Sequence, residues 1–133
     1  MKPENQKPKA LKAKAWKLMS ELIRRKYADE NGYAICFTCG KHEPWKDLQA
    51  GHGIGGRGNY VLFLEEVIKP QCDVCNIFRK GNYERFIPKL IDLYTQKQYD
   101  DWVTESRKPM KRTKADYIAL VYELQARLED LDA

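Results

Sequence analysis

Two histidines and four cysteines are the whole supply of nitrogen and sulfur metal ligands in this 133-residue chain, so few constellations can be built from them. No run of about eighteen apolar residues occurs, which excludes a membrane-spanning helix. The lysine-rich N-terminus is not followed by an apolar segment. A secretory signal peptide is therefore not expected, and the cysteines are expected to stay reduced in the cytoplasm. Repeats and low-complexity tracts are absent. The glycine-rich stretch at 53–60 lacks the phosphate-cradling GxxxxGK[ST] pattern, and no dinucleotide-binding unit surrounds it. Charged residues make up 32 % of the chain and apolar ones 43 %, a folded rather than a disordered composition. The length suits one domain with a small core.

The positive charge is concentrated. Residues 1–26 hold nine Lys or Arg against Glu4 and Glu21, within a chain of net charge +5. The remainder is slightly acidic. A basic arm of this kind fits a polyanion, most simply DNA or RNA, with a solvated, solubilising tail as the other reading; no membrane partner is expected. Residues 1–9 read as a flexible basic tail. Leu11, Ala15, Leu18 and Leu22, widened by Trp16, Met19 and Ile23, predict an amphipathic helix from Ala10 to Ala28. Its apolar face packs on a core. Its other face offers Lys14, Lys17, Arg24 and Arg25 to phosphates.

The four cysteines form two matched pairs, Cys36-x-x-Cys39 and Cys72-x-x-Cys75. Each CxxC turn presents two thiolates, and two turns close a tetrahedron around one zinc ion. Four cysteines leave no open coordination position, so this zinc is structural. His42 lies close to the first pair but is not needed as a ligand. Between the pairs sit short extended segments: Tyr33 to Cys36, Trp45 to His52, and a second strand at Val61 to Leu64.

Beyond the second pair, residues 83–94 carry an apolar helical pattern that Pro88 is expected to break. Tyr99, Trp102 and Val103 continue it. Residues 104–112 read as a basic linker. A final helix over 113–133 opens on a capping box, Thr113 with Asp116. Tyr117, Leu120, Val121, Leu124, Leu128 and Leu131 line one side of it. Two uses of that stripe are open: covering the core, or forming a homodimer seam.

His52 stands between Gly51 and Gly53 at the end of a strand, where open space around it is expected. A neutral imidazole there can take a proton from a water molecule as the water attacks phosphorus. Phosphodiester hydrolysis also needs a cation at the phosphate. The amide oxygens of Asn76, directly after Cys75, and of Asn82 suit magnesium or manganese. Arg79 and Lys80 lie near the same phosphate. Arg57 is open to two readings, a phosphate clamp or a solvated loop arginine.

These pieces carry a resemblance. Cys36-Phe37-Thr38-Cys39-Gly40, Gln49-Ala50-Gly51-His52 and Gln71-Cys72-Asp73-Val74-Cys75-Asn76 resemble the ββα-metal nucleases, the HNH or His-Me finger class. With Trp16-Lys17-Leu18-Met19-Ser20-Glu21-Leu22-Ile23-Arg24 and Gly81-Asn82-Tyr83 they resemble more narrowly the NinG/Rap family of lambdoid phage recombination endonucleases, over roughly residues 10–103. The resemblance implies an α+β fold: a small zinc-stabilised ββα-metal core at 10–103, a basic N-terminal helix and C-terminal helices. It implies a phage-encoded enzyme acting in a bacterial host cell. That enzyme cuts branched DNA, such as Holliday junctions or D-loops, with magnesium or manganese. His52 takes the place of the general base and Asn76 that of the last metal ligand. Two departures stand out. Gly51 replaces an Asp or His ligand, and Val67 lies near the place of an asparagine that orients the base. A backbone carbonyl then orients His52, and Glu66 or Asp47 completes the cation site. The other reading is a zinc-containing DNA-binding phage protein that cuts nothing.

Overall fold

The computed structural model of the chain describes every residue except Arg57. Two long helices, distant in sequence, form one wall. Helix α1 runs over Pro8–Lys26, with proline in the first turn, where its missing N–H is not needed. Arg24, Arg25 and Lys26 close it against the negative end of the helix dipole. The residues before it, expected as a flexible tail, include a short 3-10 turn at Pro3–Asn5 with Pro3 buried. The Glu4 carboxylate accepts a bond from the Tyr122 hydroxyl on the last helix.

That last helix, Lys114–Asp132, opens with the expected box. Thr113 Oγ1 accepts from Asp116 N at 3.1 Å, and Asp116 Oδ2 accepts from Thr113 N at 2.8 Å. Its Tyr117, Val121, Leu124 and Leu128 pack with Leu11, Ala15, Met19, Leu22 and Ile23 of α1 in one core, floored by Ala50, Phe63 and Ile68. Of the two uses open to the C-terminal stripe, these residues serve the first. Leu120 of that stripe is half-buried and Leu131 is exposed. No helix among the described residues is long and apolar enough to cross a membrane.

Two small antiparallel sheets stand against this wall. Strands β1, Tyr33–Ile35, and β2, His42–Pro44, form a hairpin that carries the first cysteine turn. Strand β3, Gln49–His52, pairs with β4, Ile68–Gln71, with Gln49 opposite Gln71, Gly51 opposite Lys69 and His52 opposite Ile68. The second strand is therefore not at Val61–Leu64. That segment instead belongs to a short helix, α2 at Asn59–Leu62, and the turn after it. The reason is burial. Strand β4 is buried at all four residues, and its side-chain nitrogens have partners inside, while Gln71 Oε1 is buried without one. Lys69 Nζ donates to the Tyr27 and Tyr94 hydroxyls at 3.0 Å each. Helix α2 divides its apolar residues between two cores, Val61 in one and Leu62 against the other.

After β4 the chain makes a π-helical turn at Val74–Phe78, then helices α3, Tyr83–Tyr94, and α4, Gln96–Ser106. The last helix of the chain is α5. Pro88 does not break α3. It is exposed, so the Glu84 carbonyl that loses its partner can turn to water. Helix α4 reaches into the expected linker and ends at Ser106. Phe86, Leu90 and Trp102 of these helices join Ile54, Val61 and Val67 in a second core.

Candidate active site

The four cysteine sulfurs lie within 4.8 Å of one another, and Cys39 Sγ is 3.7 Å from Cys72 Sγ. A regular tetrahedron with zinc–sulfur bonds of about 2.3 Å has edges of about 3.8 Å, so the spacing fits a zinc-type ion. All four are free thiols rather than disulfides. Burial pushes the Cys36 thiol up, but hydrogen bonds from the Thr38 hydroxyl and from the amides of Cys72, Cys39 and Thr38 bring it down to about 6. Burial drives Cys72 the other way, up to about 12. Gathering four thiolates without a cation is costly, and a divalent ion reverses that cost. Polar side chains support the sulfurs. Gln71 Nε2 donates to Thr38 Oγ1 at 3.0 Å, and Thr38 Oγ1 is 3.4 Å from Cys36 Sγ. Asn82 Nδ2 donates to Cys75 Sγ at 3.5 Å. The cysteine cluster is the one group of three or more His, Cys, Asp or Glu among the described residues placed to hold a metal.

Strand β4 runs into this cluster, and β3 beside it ends on His52. The imidazole lines a cavity of about 750 Å³ together with Lys12, Trp16, Asn76, Lys80 and Tyr83. The expected open space around His52 is not what the glycines provide. A Cβ on Gly51 would lie 1.8 Å from Gln71 Oε1, and one on Gly53 would lie 2.2 Å from Leu90 Cδ1. Both glycines let neighbouring side chains close in on the backbone. The imidazole is itself half-buried, stacked on Trp16 with ring centroids 4.9 Å apart and planes at 26°.

His52 Nε2 lies 3.2 Å from the Leu62 carbonyl oxygen. A carbonyl can only accept, so this contact puts the ring proton on Nε2 and leaves the lone pair on Nδ1. Burial lowers the imidazole below its usual value of 6.5, and the Leu62 carbonyl opposes that shift. The ring is therefore neutral at pH 7.

The three expected cation ligands are not assembled. Asn76 lines the cavity. Its Nδ2 donates to Gln49 Oε1 at 2.6 Å, and its Oδ1 lies 3.1 Å from where a Gly51 Cβ would stand. Glu66 is exposed and does not line the cavity. Asn82 is buried in support of Cys75, so its amide is structural. Asp47 is not among the lining residues either. No carboxylate lines the cavity among the described residues, and Asn76 Oδ1 is the oxygen left to suit a hard cation.

The basic residues divide as well. Lys80 lines the cavity, and Arg79 is exposed beside it. Lys14 is half-buried and Lys17 exposed on α1. Arg24 lies over the Trp45 ring, 5.3 Å from its centroid. Arg25 is held by Glu21 and Asp132 and also lies over Trp45. Both arginines therefore make contacts within the fold. Arg57 lies outside the described residues.

Sequence reasoning missed Lys12 and the partnership of Trp16 with His52. Lys12 Nζ donates to Asn59 Oδ1 at 2.7 Å at the cavity edge. The two residues are four apart on α1 and so share a face. That spacing is the signal the sequence carries for them.

The site belongs to a small mixed α+β protein of nuclease type, in which a four-cysteine metal cluster braces a histidine-bearing cavity. Residues 2–133 match the model of the family described as Bacteriophage Lambda NinG protein, and the chain belongs to this NinG family of lambdoid phage recombination nucleases. No curated protein and no solved structure matches the chain.

Proposed function

We propose that the chain is a divalent-cation-dependent DNA endonuclease acting on branched recombination intermediates such as Holliday junctions or D-loops, in the host cytoplasm. Family membership supports the nuclease class. The observation that carries the chemistry is His52: neutral, protonated at Nε2 by its contact with the Leu62 carbonyl, and facing a cavity with two lysines. Strands β3 and β4, joined in sequence through α2 and a 3-10 turn, followed by the π-turn and α3, support the ββα-metal reading.

In this reading His52 Nδ1 takes the proton from a water molecule. The water oxygen bonds to phosphorus, and the phosphorus–oxygen bond to the leaving group breaks. The leaving oxygen takes its proton from solvent. Lys12 and Lys80 hold the phosphate against the imidazole by charge. Asn76 Oδ1 would hold a divalent cation, which would supply charge neutralisation at the phosphate. Magnesium commonly keeps several waters and takes substrate phosphate oxygens, which suits a cavity with so few ligands. Cys36, Cys39, Cys72 and Cys75 would hold a zinc ion, which would fix the π-turn that carries Asn76 against β3.

A cavity without a carboxylate is also what a non-cutting DNA-binding protein would have. Incubating zinc-loaded protein with four-way, three-way, flap and linear DNA in magnesium or manganese separates the two. Cutting that favours branched substrates supports the proposal. Binding without cutting under every condition overturns it.

A further inference from the structure

The π-helical turn at Val74–Phe78 exposes three apolar side chains: Val74 at 42 %, Ile77 at 55 % and Phe78 at 75 %. Isolated exposed apolar residues need no explanation, but three in one five-residue turn do. The turn is rigidly mounted. Cys72 and Cys75 anchor it to the metal cluster. Asn76 N donates to Cys72 O at 2.9 Å, Arg79 N to Val74 O at 2.8 Å and Gly81 N to Cys75 O at 2.9 Å. Single-turn π segments of this kind recur at functional sites.

The charge around the turn says what it meets. Arg79 and Lys80 follow Phe78 directly. Lys80, Gly81 and Asn82 have φ of 51°, 96° and 50°, three left-handed residues in a row. Two of them are not glycine, and such conformations persist where the surrounding fold enforces them. Lys80 and Ile77 both line the His52 cavity. The turn therefore presents apolar side chains beside the candidate phosphate site, with two cations after Phe78 and, before Val74, the exposed Asp73, whose carboxylate accepts from Val74 N at 2.9 Å.

Side chains of this type enter DNA between base steps and unstack them, and bare aromatic rings stack on unpaired bases. At a branch point the bases have already lost a stacked neighbour, so insertion there costs less than in continuous duplex. We propose that Phe78, backed by Ile77, is the wedge by which this protein selects branched DNA, stacking on a base at the junction next to the scissile phosphate. This inference rests on the nuclease reading, but its binding part can be tested without cleavage.

The test uses full-length zinc-loaded protein, with wild type, Phe78→Ala and Phe78→Trp compared on a four-way junction carrying 2-aminopurine at the branch and on linear duplex. Phe78 is exposed, so both variants should keep wild-type circular dichroism and zinc content. Wild type and Phe78→Trp should raise the 2-aminopurine fluorescence and prefer the junction. Phe78→Ala should lose the fluorescence rise and roughly 10- to 100-fold of the junction preference, the range of one aromatic–base stack. A wild type that unstacks the base but cuts nothing sinks the nuclease reading and leaves the wedge standing. Phe78→Ala with wild-type fluorescence and preference sinks the wedge alone.

Discussion

Replacing Gly51 with alanine places a methyl carbon 1.8 Å from Gln71 Oε1 and 2.7 Å from Gln71 Cδ. Gln71 is fully buried. Its Nε2 donates to Thr38 Oγ1 at 3.0 Å and to Gly81 O at 2.9 Å, and moving the amide aside breaks both bonds. Each net hydrogen bond contributes about 1 kcal/mol, and a buried group left unpaired adds about 1–3 kcal/mol. Glycine in a strand is otherwise a weakness, so alanine recovers roughly 0.5–1 kcal/mol. The balance is a loss of about 2–4 kcal/mol, or roughly 10 °C in melting temperature for a domain of this size. Thermal and urea denaturation of zinc-loaded protein measure it. Gln71→Ala removes the obstruction, so Gly51→Ala should cost far less in the double variant than alone. A Gly51→Ala protein as stable as wild type, or more stable as strand propensity alone would give, refutes the reasoning.

Burial holds His52 below its usual 6.5, so cleavage should rise with pH through the depressed value and be flat by pH 7. Trp16→Ala opens the ring to water and should move that rise upward towards 6.5, as read by the rate profile and by NMR titration of the imidazole. Because the unfolded chain takes up this proton first, the neutral ring contributes stability above about 6.5 that is lost as pH falls below it. Glu65 is pushed down to about 2, chiefly by its hydrogen bonds with Arg127 and also by Lys26. Its contribution is present above its usual value of 4.5 and lost as pH falls towards 2. Glu65→Gln should lose on the order of 1 kcal/mol at pH 7, the size of a partly exposed ion pair, with a smaller difference at pH 3 in denaturant titrations. Metal analysis should find a single zinc ion per chain. Stripping it with a chelator should abolish cleavage and release hydrogen-exchange protection at Cys36–Cys39 and Val74–Phe78 before that of α1 and α5.

The elements most legible in the sequence were those whose signal is local. The period of Leu11, Ala15 and Leu22 gives α1, and Thr113 with Asp116 gives the start of α5. The spacing of the cysteines gives the metal cluster. Strand β4 was not legible, because Lys69, Pro70 and Gln71 look like loop residues. They can be buried only because Tyr27, Tyr94, Thr38 and Gly81 converge on them from distant segments. The same limit applied to the site. His52 could be singled out by its motif, but its contacts with Trp16 and the Leu62 carbonyl depend on how α1 and α2 fold across β3. The place of Asn82 was hidden for a related reason. Asn82 lies near Asn76 in sequence, yet its amide turns inward to Cys75.

The central claim is that His52 is the base of a phosphodiester hydrolysis, and a side-by-side cleavage assay of wild type and His52→Ala on a four-way junction in magnesium tests it most directly. Both proteins must carry zinc and bind the junction equally. The account predicts nicking by wild type, its loss in His52→Ala by about 100-fold or more, and partial recovery when imidazole is added. A folded, zinc-loaded His52→Ala protein that nicks the junction at the wild-type rate contradicts it.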